Sequence, residues 1–244
     1  MTEARWLTAA DPRDMLQHLT WRGSERKLRR YCVEAVRPFI DCFFHPTSWA
    51  TLAVAEEVAE GRGGEQEVVK ARQEAWAAFP FPGLTTTHLQ IVAARAAART
   101  VEPDASKASE WTSNEIRSLF ADREEEKFET DDEQYDAYFR GQAVGNSLLA
   151  NLLRDIFGNP FRPVAVDPAW LTETAVGIAR GIYEDRAFER MPILADALQD
   201  AGCEDAEVLS HCREPGTHVR GCWVVELMLG RSLAESEAVI PTKG

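Results

Sequence analysis

The sequence predicts an all-α protein of roughly ten helices in two packed lobes, and three observations predict it. Apolar residues recur at the three- and four-residue spacing of a helix face along most of the chain. Capping residues and Gly or Pro stops bracket those stretches. No stretch of useful length alternates apolar with polar residues as a half-buried strand would, and no tight turn joins two such stretches. The expected packing is a helical bundle or a series of solenoid-like helix pairs without a fixed repeat.

Taken in order, Asp11 and Pro12 supply a cap and a first-turn residue for a short helix carrying Met15, Leu16 and Leu19. In SERKLRRYCVEAVRPFIDCFF one face collects Leu28, Tyr31, Cys32, Ala35, Val36, Phe39 and Phe43. Cys32 is therefore read as a packed core residue. Pro38 should kink or split this helix, because it removes a backbone donor and crowds the preceding turn. HPTSWATLAVAEEVAEG reads as a helix capped near Ser48 and stopped at Gly61, and EQEVVKARQEAWAAF as one ended by Pro80, Pro82 and Gly83. The alanines of THLQIVAARAAART favour a helix and a close neighbour. VEPDASKAS reads as a linker, after which Thr112 and Glu115 form a capping-box pattern.

The longest helix is expected in YDAYFRGQAVGNSLLANLLRDIFG. Gly141 and Gly145 stand one turn apart there, and glycine is costly inside a helix, so a close backbone contact is expected. GNPFRPVAVDPAW breaks the chain, with Gly158 as helix stop. It divides an N-terminal lobe, 1–157, with an acidic insert near 121–136, from a C-terminal lobe, 158–230, and a flexible tail, 231–244. The second lobe should hold helices in TETAVGIARGIYEDR, MPILADALQDAG, EDAEVLSHCR and THVRGCWVVELMLG.

Composition excludes several classes of function. The hydrophobic fraction of 45% and charged fraction of 27% are those of a globular protein. No run of about 18 apolar residues occurs, and the charged start MTEARWLTAADPRD lacks the apolar core of a signal peptide. The expected location is the cytoplasm, where five cysteines without a regular framework would stay reduced. A net charge of -13 disfavours nucleic acid and anionic membrane as partners.

That charge is unevenly placed. The stretch 122–136 holds nine acids against Arg123 and Lys127, a net of -7. Against it, RGSERKLRR carries Arg22, Arg26, Lys27, Arg29 and Arg30 with Glu25 alone opposing, which reads as a solvated helix face or as a docking patch. These two segments supply the candidate partner-binding residues: Arg22, Arg26, Lys27, Arg29 and Arg30 on one side, Glu124, Glu125, Glu126, Asp131 and Asp132 on the other.

The remaining chemistry lies in CEDAEVLSHCREPGTHVRGCW. Its Cys203, His211, Cys212, His218 and Cys222 are the pool from which zinc ligands would come, although the spacing matches no standard finger. Read one at a time, the cysteines are core residues, and the histidines sit near a helix end and a helix start. No Cys carries a nucleophile signature, and the dinucleotide, P-loop, H-E-x-x-H and G-x-S-x-G motifs are absent from the chain.

The segments RDIFGNPFRPVAVDPAWLT, IYEDRAFERMPILADALQDAGCEDAEVLSHCR and HVRGCWVVELMLG, together with the opening MTEARWLTAADPRDML and SERKLRRYCVEAVR, resemble a multi-copy family of uncharacterised bacterial proteins. The resemblance lies at both ends and spares about 60–135. It implies an adaptor, sensor or defence-associated module, and no cofactor or catalytic residue comes with it. The expectation is thus a noncatalytic protein-protein interaction or adaptor module with no cofactor. The alternative is a metal-binding protein or enzyme built on the C-terminal Cys/His residues.

Overall fold

Side-chain oxygens set where the helices begin. Ser24, Thr87, Asp104, Thr172 and Asp205 each accept a hydrogen bond from a backbone N–H two or three residues ahead, satisfying a donor that has no partner within its helix. The computed structural model describes residues 1–20, 24–79 and 81–231. Among these it holds no strand and twelve α-helices, ten of them seven residues or longer. They are α1 Glu3–Thr8, α2 Arg13–Leu19, α3 Glu25–Val36, α4 Pro46–Ala59, α5 Glu65–Ala78, α6 His88–Arg99, α7 Ala105–Glu125, α8 Asp131–Phe157, α9 Glu173–Asp185, α10 Met191–Asp200, α11 Ala206–Arg213 and α12 Trp223–Met228. No helix of the described residues is long and apolar enough to cross a membrane.

The chain divides into two compact units, 1–153 and 154–244. The division falls inside α8, one turn before the proline-rich break, so the last turn of that helix belongs to the second unit. In the first unit α3 packs against α4, α6 and α7, and α6 lies on α7. Its core holds Trp6, Met15, Tyr31, Cys32, Phe39, Ile116 and Leu119, all fully buried. The Tyr31 hydroxyl lies 2.7 Å from Ser113 Oγ, and burial pushes the Cys32 thiol up to about 12. Pro38 splits its helix as expected: α3 ends at Val36 and a 3-10 turn, Arg37–Cys42, follows. In the second unit α9, α10, α11 and α12 pack in neighbouring pairs around Ile182, Leu194, Leu198, Val208 and Val225.

Several boundaries differ from those the sequence predicts. The linker VEPDASKAS is in part the start of α7, because the Asp104 carboxylate caps Ser106 and Lys107 and leaves Thr112 buried in the helix interior. His45 caps α4 ahead of Ser48. The acidic stretch is the end of α7, a short link and the first turn of α8. In THVRGCWVVELMLG only Trp223–Met228 is α-helical. Of the expected flexible tail, 232–244 lies outside the described residues. Arg231 stacks on the Tyr183 ring at 4.1 Å and donates to its hydroxyl.

The glycine pair does what its cost demands. A Cβ on Gly141 would stand 2.7 Å from Ala121 Cα and against the Phe120 carbonyl, and one on Gly145 would meet the Phe120 ring at 3.1 Å. Gly141→Ala gains helix propensity but must push α7 backbone aside. We expect a net loss of about 1–3 kcal/mol, read as a lower urea midpoint for the first unit.

Candidate functional site

Two of the five residues of the basic segment are withdrawn from any docking face. Arg22 lies outside the described residues, and Arg26 and Lys27 are half-buried. Arg29 and Arg30 are 2% and 0% exposed, which corrects the expectation that they present charge to a partner. Arg29 donates to the carbonyls of Glu102 (2.8 Å) and Pro103 (2.7 Å), just past the C-terminus of α6, where a cation meets the negative helix end. Arg30 pairs with Glu60, the residue that caps the end of α4, and lies 3.7 Å from Glu34. The spacing of Glu25 before Arg29 and of Glu34 after Arg30, one helical turn each, marks the ion pairs but not the burial.

The acidic segment, in contrast, faces water. Glu126, Asp131 and Asp132 are exposed, and Glu124 and Glu125 are half-buried. Asp131, Asp132 and Glu133 occupy the first turn of α8, where negative charge complements the helix dipole. Along this helix Ala137, Gly141, Gly145 and Leu149 bury one stripe at four-residue spacing. A second stripe, Tyr135, Phe139 and Ala143, is exposed together with Asp132 and Asp136. Tyr135 is 67% and Phe139 51% exposed, their rings 4.9 Å apart.

The C-terminal unit brings four polar side chains to one point. Asp155 lies in the last turn of α8, His211 in that of α11, His218 in the irregular 214–222 segment, and Cys222 immediately before α12. One donor atom from each lies within 4.8 Å of all the others. Asp155 Oδ1 is 2.7 Å from His218 Nδ1 and 3.2 Å from His211 Nε2. Cys222 Sγ is 3.1 Å from His211 Nε2 and 3.9 Å from His218 Nδ1. The other carboxylate oxygen of Asp155 accepts from Val219 N–H at 2.9 Å, fixing the carboxylate plane. The His211 and His218 rings meet edge to face, and His211 also packs on Trp223.

The sequence folds this way locally for identifiable reasons. Gly158, at a φ of 65°, ends α8 in the left-handed conformation. A side chain there would meet the Trp223 ring at 3.1 Å, so the glycine also lets the start of α12 approach. Asp205 caps α11, whose last turn carries His211.

Burial alone would raise the Asp155 carboxyl, but hydrogen bonds from His211 and His218 outweigh it and hold the group below the usual carboxylate range. Burial, and then the Asp155 charge, push the Cys222 thiol well above its usual value. Three of the five residues in the predicted ligand pool therefore converge. Cys203 and Cys212 do not join them: each is 1% exposed within the apolar core, with its thiol raised by burial, that of Cys212 to about 12. Asp155 was missed. Its signal is a carboxylate set among the buried Leu152, Leu153 and Ile156, a polar residue on an apolar face.

Fold and cluster together define an all-helical protein with a buried Asp/His/His/Cys constellation in its smaller unit. No protein-family model, no curated protein and no solved structure matches the chain.

Two outcomes follow from these burials. Arg30→Ala removes the cation between Glu34 and Glu60, leaving Arg37 beside the first and Arg62 near the second, and should cost about 2–3 kcal/mol, measured by urea denaturation. Cys42 is the one cysteine that is not fully buried, so a thiol reagent should modify one site quickly in the native protein and the rest only on unfolding.

Proposed function

We propose that this protein is a noncatalytic binding module that docks a protein partner through the outer face of α8. The observation that carries the reading is the exposed Tyr135–Phe139 pair among exposed acids. An aromatic pair left in water on an ordered helix contributes little to the fold, whereas aromatic residues supply much of the binding energy at protein interfaces. Asp131, Asp132 and Asp136 beside it select a basic partner surface and speed its approach. The complementary segment would be an amphipathic stretch with apolar residues for the ring pair and Lys or Arg toward the start of α8. The resemblance to a multi-copy bacterial family agrees with an adaptor role in a regulatory or defence-associated system, acting in the cytoplasm.

The test is cross-linking from a photoreactive residue placed at Ala143, in cells of the source organism. Adducts with a discrete partner should form with the parent protein and fall at least about tenfold on Tyr135→Ser/Phe139→Ser, since each lost aromatic anchor costs on the order of 1–2 kcal/mol. A control, Leu84→Ser/Ile193→Ser, alters two other exposed apolar residues and should leave the adducts unchanged. Equal adduct yields from all three proteins would defeat the reading.

A further inference from the structure

We infer that Asp155, His211, His218 and Cys222 form a zinc site, and that the ion's role there is structural. Zinc held tetrahedrally at about 2.0–2.3 Å places its ligand atoms about 3.3–3.8 Å from one another. The four closest donor-atom separations, 2.7, 3.2, 3.1 and 3.9 Å, bracket that spacing. Shifts of less than about 1 Å per atom would complete the tetrahedron.

Two other readings of the cluster fail on geometry and charge. In a nucleophile–base–acid relay the imidazole stands between its partners, one on each ring nitrogen. Here Asp155 and Cys222 both approach Nε2 of His211, so the ring does not bridge them. A set of ordinary hydrogen bonds serves little better. A ring N–H aimed at one acceptor leaves the other poorly met, and Asp155 and Cys222 are almost wholly withdrawn from water. One divalent cation at the centre accepts a lone pair from each of the four. Its two positive charges balance one carboxylate and one thiolate, with both imidazoles neutral, so the buried site carries no net charge. On binding, the Cys222 S–H bond is replaced by an S–Zn bond and the proton leaves to buffer; no electron is transferred.

The donor set also chooses the metal and its role. A thiolate and two imidazoles favour zinc over magnesium or calcium, which take oxygen ligands. Val219 N–H occupies the second oxygen of Asp155 and keeps it a one-atom ligand, an outer contact of the kind that orients metal sites. Four protein ligands leave no open position for water or substrate, the mark of a structural ion. The ion would tie the end of α8 to α11 and to the 214–222 segment, which has no helix of its own to hold it.

The experiment uses the full chain, produced in zinc-supplemented medium, with elemental analysis followed by exchange to cobalt(II) as the spectroscopic probe. We expect one zinc per chain, and after exchange the intense visible bands of tetrahedral cobalt with a thiolate charge-transfer band in the near ultraviolet. Cys222→Ser should remove the charge-transfer band, and His218→Ala should weaken cobalt binding by more than about 100-fold, beyond the loss usual for an outer-shell change. Cys203→Ser and Cys212→Ser should leave the spectrum intact. If Cys222→Ser fails to fold, the parent spectrum together with the two control variants still decides the assignment. A folded parent protein that contains no metal and takes up no cobalt overturns the proposal. So does an octahedral spectrum without a thiolate band, or loss of that band in Cys203→Ser or Cys212→Ser.

Discussion

A charge withdrawn from water must meet a counter-charge or oriented dipoles, and that constraint organises both units of this protein. In the first unit it acts through Arg29 and Arg30. Neighbours in sequence, they leave α3 in different directions, one to the free carbonyls after α6 and the other to the carboxylates of Glu34 and Glu60. Arg37 extends the second group toward Glu34 and Glu56. The helix contacts α3–α4 and α3–α6 are therefore set in register by electrostatics as well as by the apolar residues around them. In the second unit Asp155 does the corresponding work, its two oxygens facing two imidazoles and a backbone N–H.

The same constraint explains what could and could not be read from the sequence. Helix existence was legible because it depends on local signals: the periodic stripe from Leu28 to Val36, Pro38, the alanines before Arg99 and the Gly141–Gly145 pair. Helix starts were less so where two caps compete within a few residues. Asp104 and Thr112 both carry capping oxygens, and the earlier one prevails because packing of α7 against α3 and α6 favours the longer helix. The fate of Arg29 and Arg30 depends on residues some thirty to seventy positions away, which no local pattern reports. Asp155 and His218 are likewise 63 positions apart. Both sets shared a weak signal, a charged residue on an otherwise buried face, and it was outweighed by the more familiar pattern of a charged run.

The acidic segment shows the reverse case, charge left in water. Its acids at the start of α8 are favoured by the helix dipole, whereas Glu124 and Glu125 end α7 where the dipole opposes them. The run therefore contributes little net stability to the junction it occupies. The position of the neighbouring aromatic pair has a different origin. Gly141 and Gly145 let α7 lie so close to one side of α8 that this side is filled by backbone, and Tyr135 and Phe139 project from another. The close glycine contact and the exposed ring pair are two consequences of one helix orientation.

Size bears on the second unit. Its described part, 154–231, lies near the length below which a single apolar core rarely supplies enough stability, about 70–80 residues. It gives part of that length to irregular chain at 159–172 and 214–222. Natural domains of this size commonly add disulfides or a structural metal. Disulfides do not serve here: the cysteines are free, and Cys203, Cys212 and Cys222 are each enclosed in the core. A fully buried Cys222 beside Asp155 is on its own an unfavourable arrangement, since the carboxylate opposes the thiolate and the thiol is a weak hydrogen-bond donor. A cation between them would take the place of the thiol proton and attract carboxylate and thiolate alike. The feature that costs this unit stability without an ion is then the one that would stabilise it with one, and it falls where the chain has least regular structure.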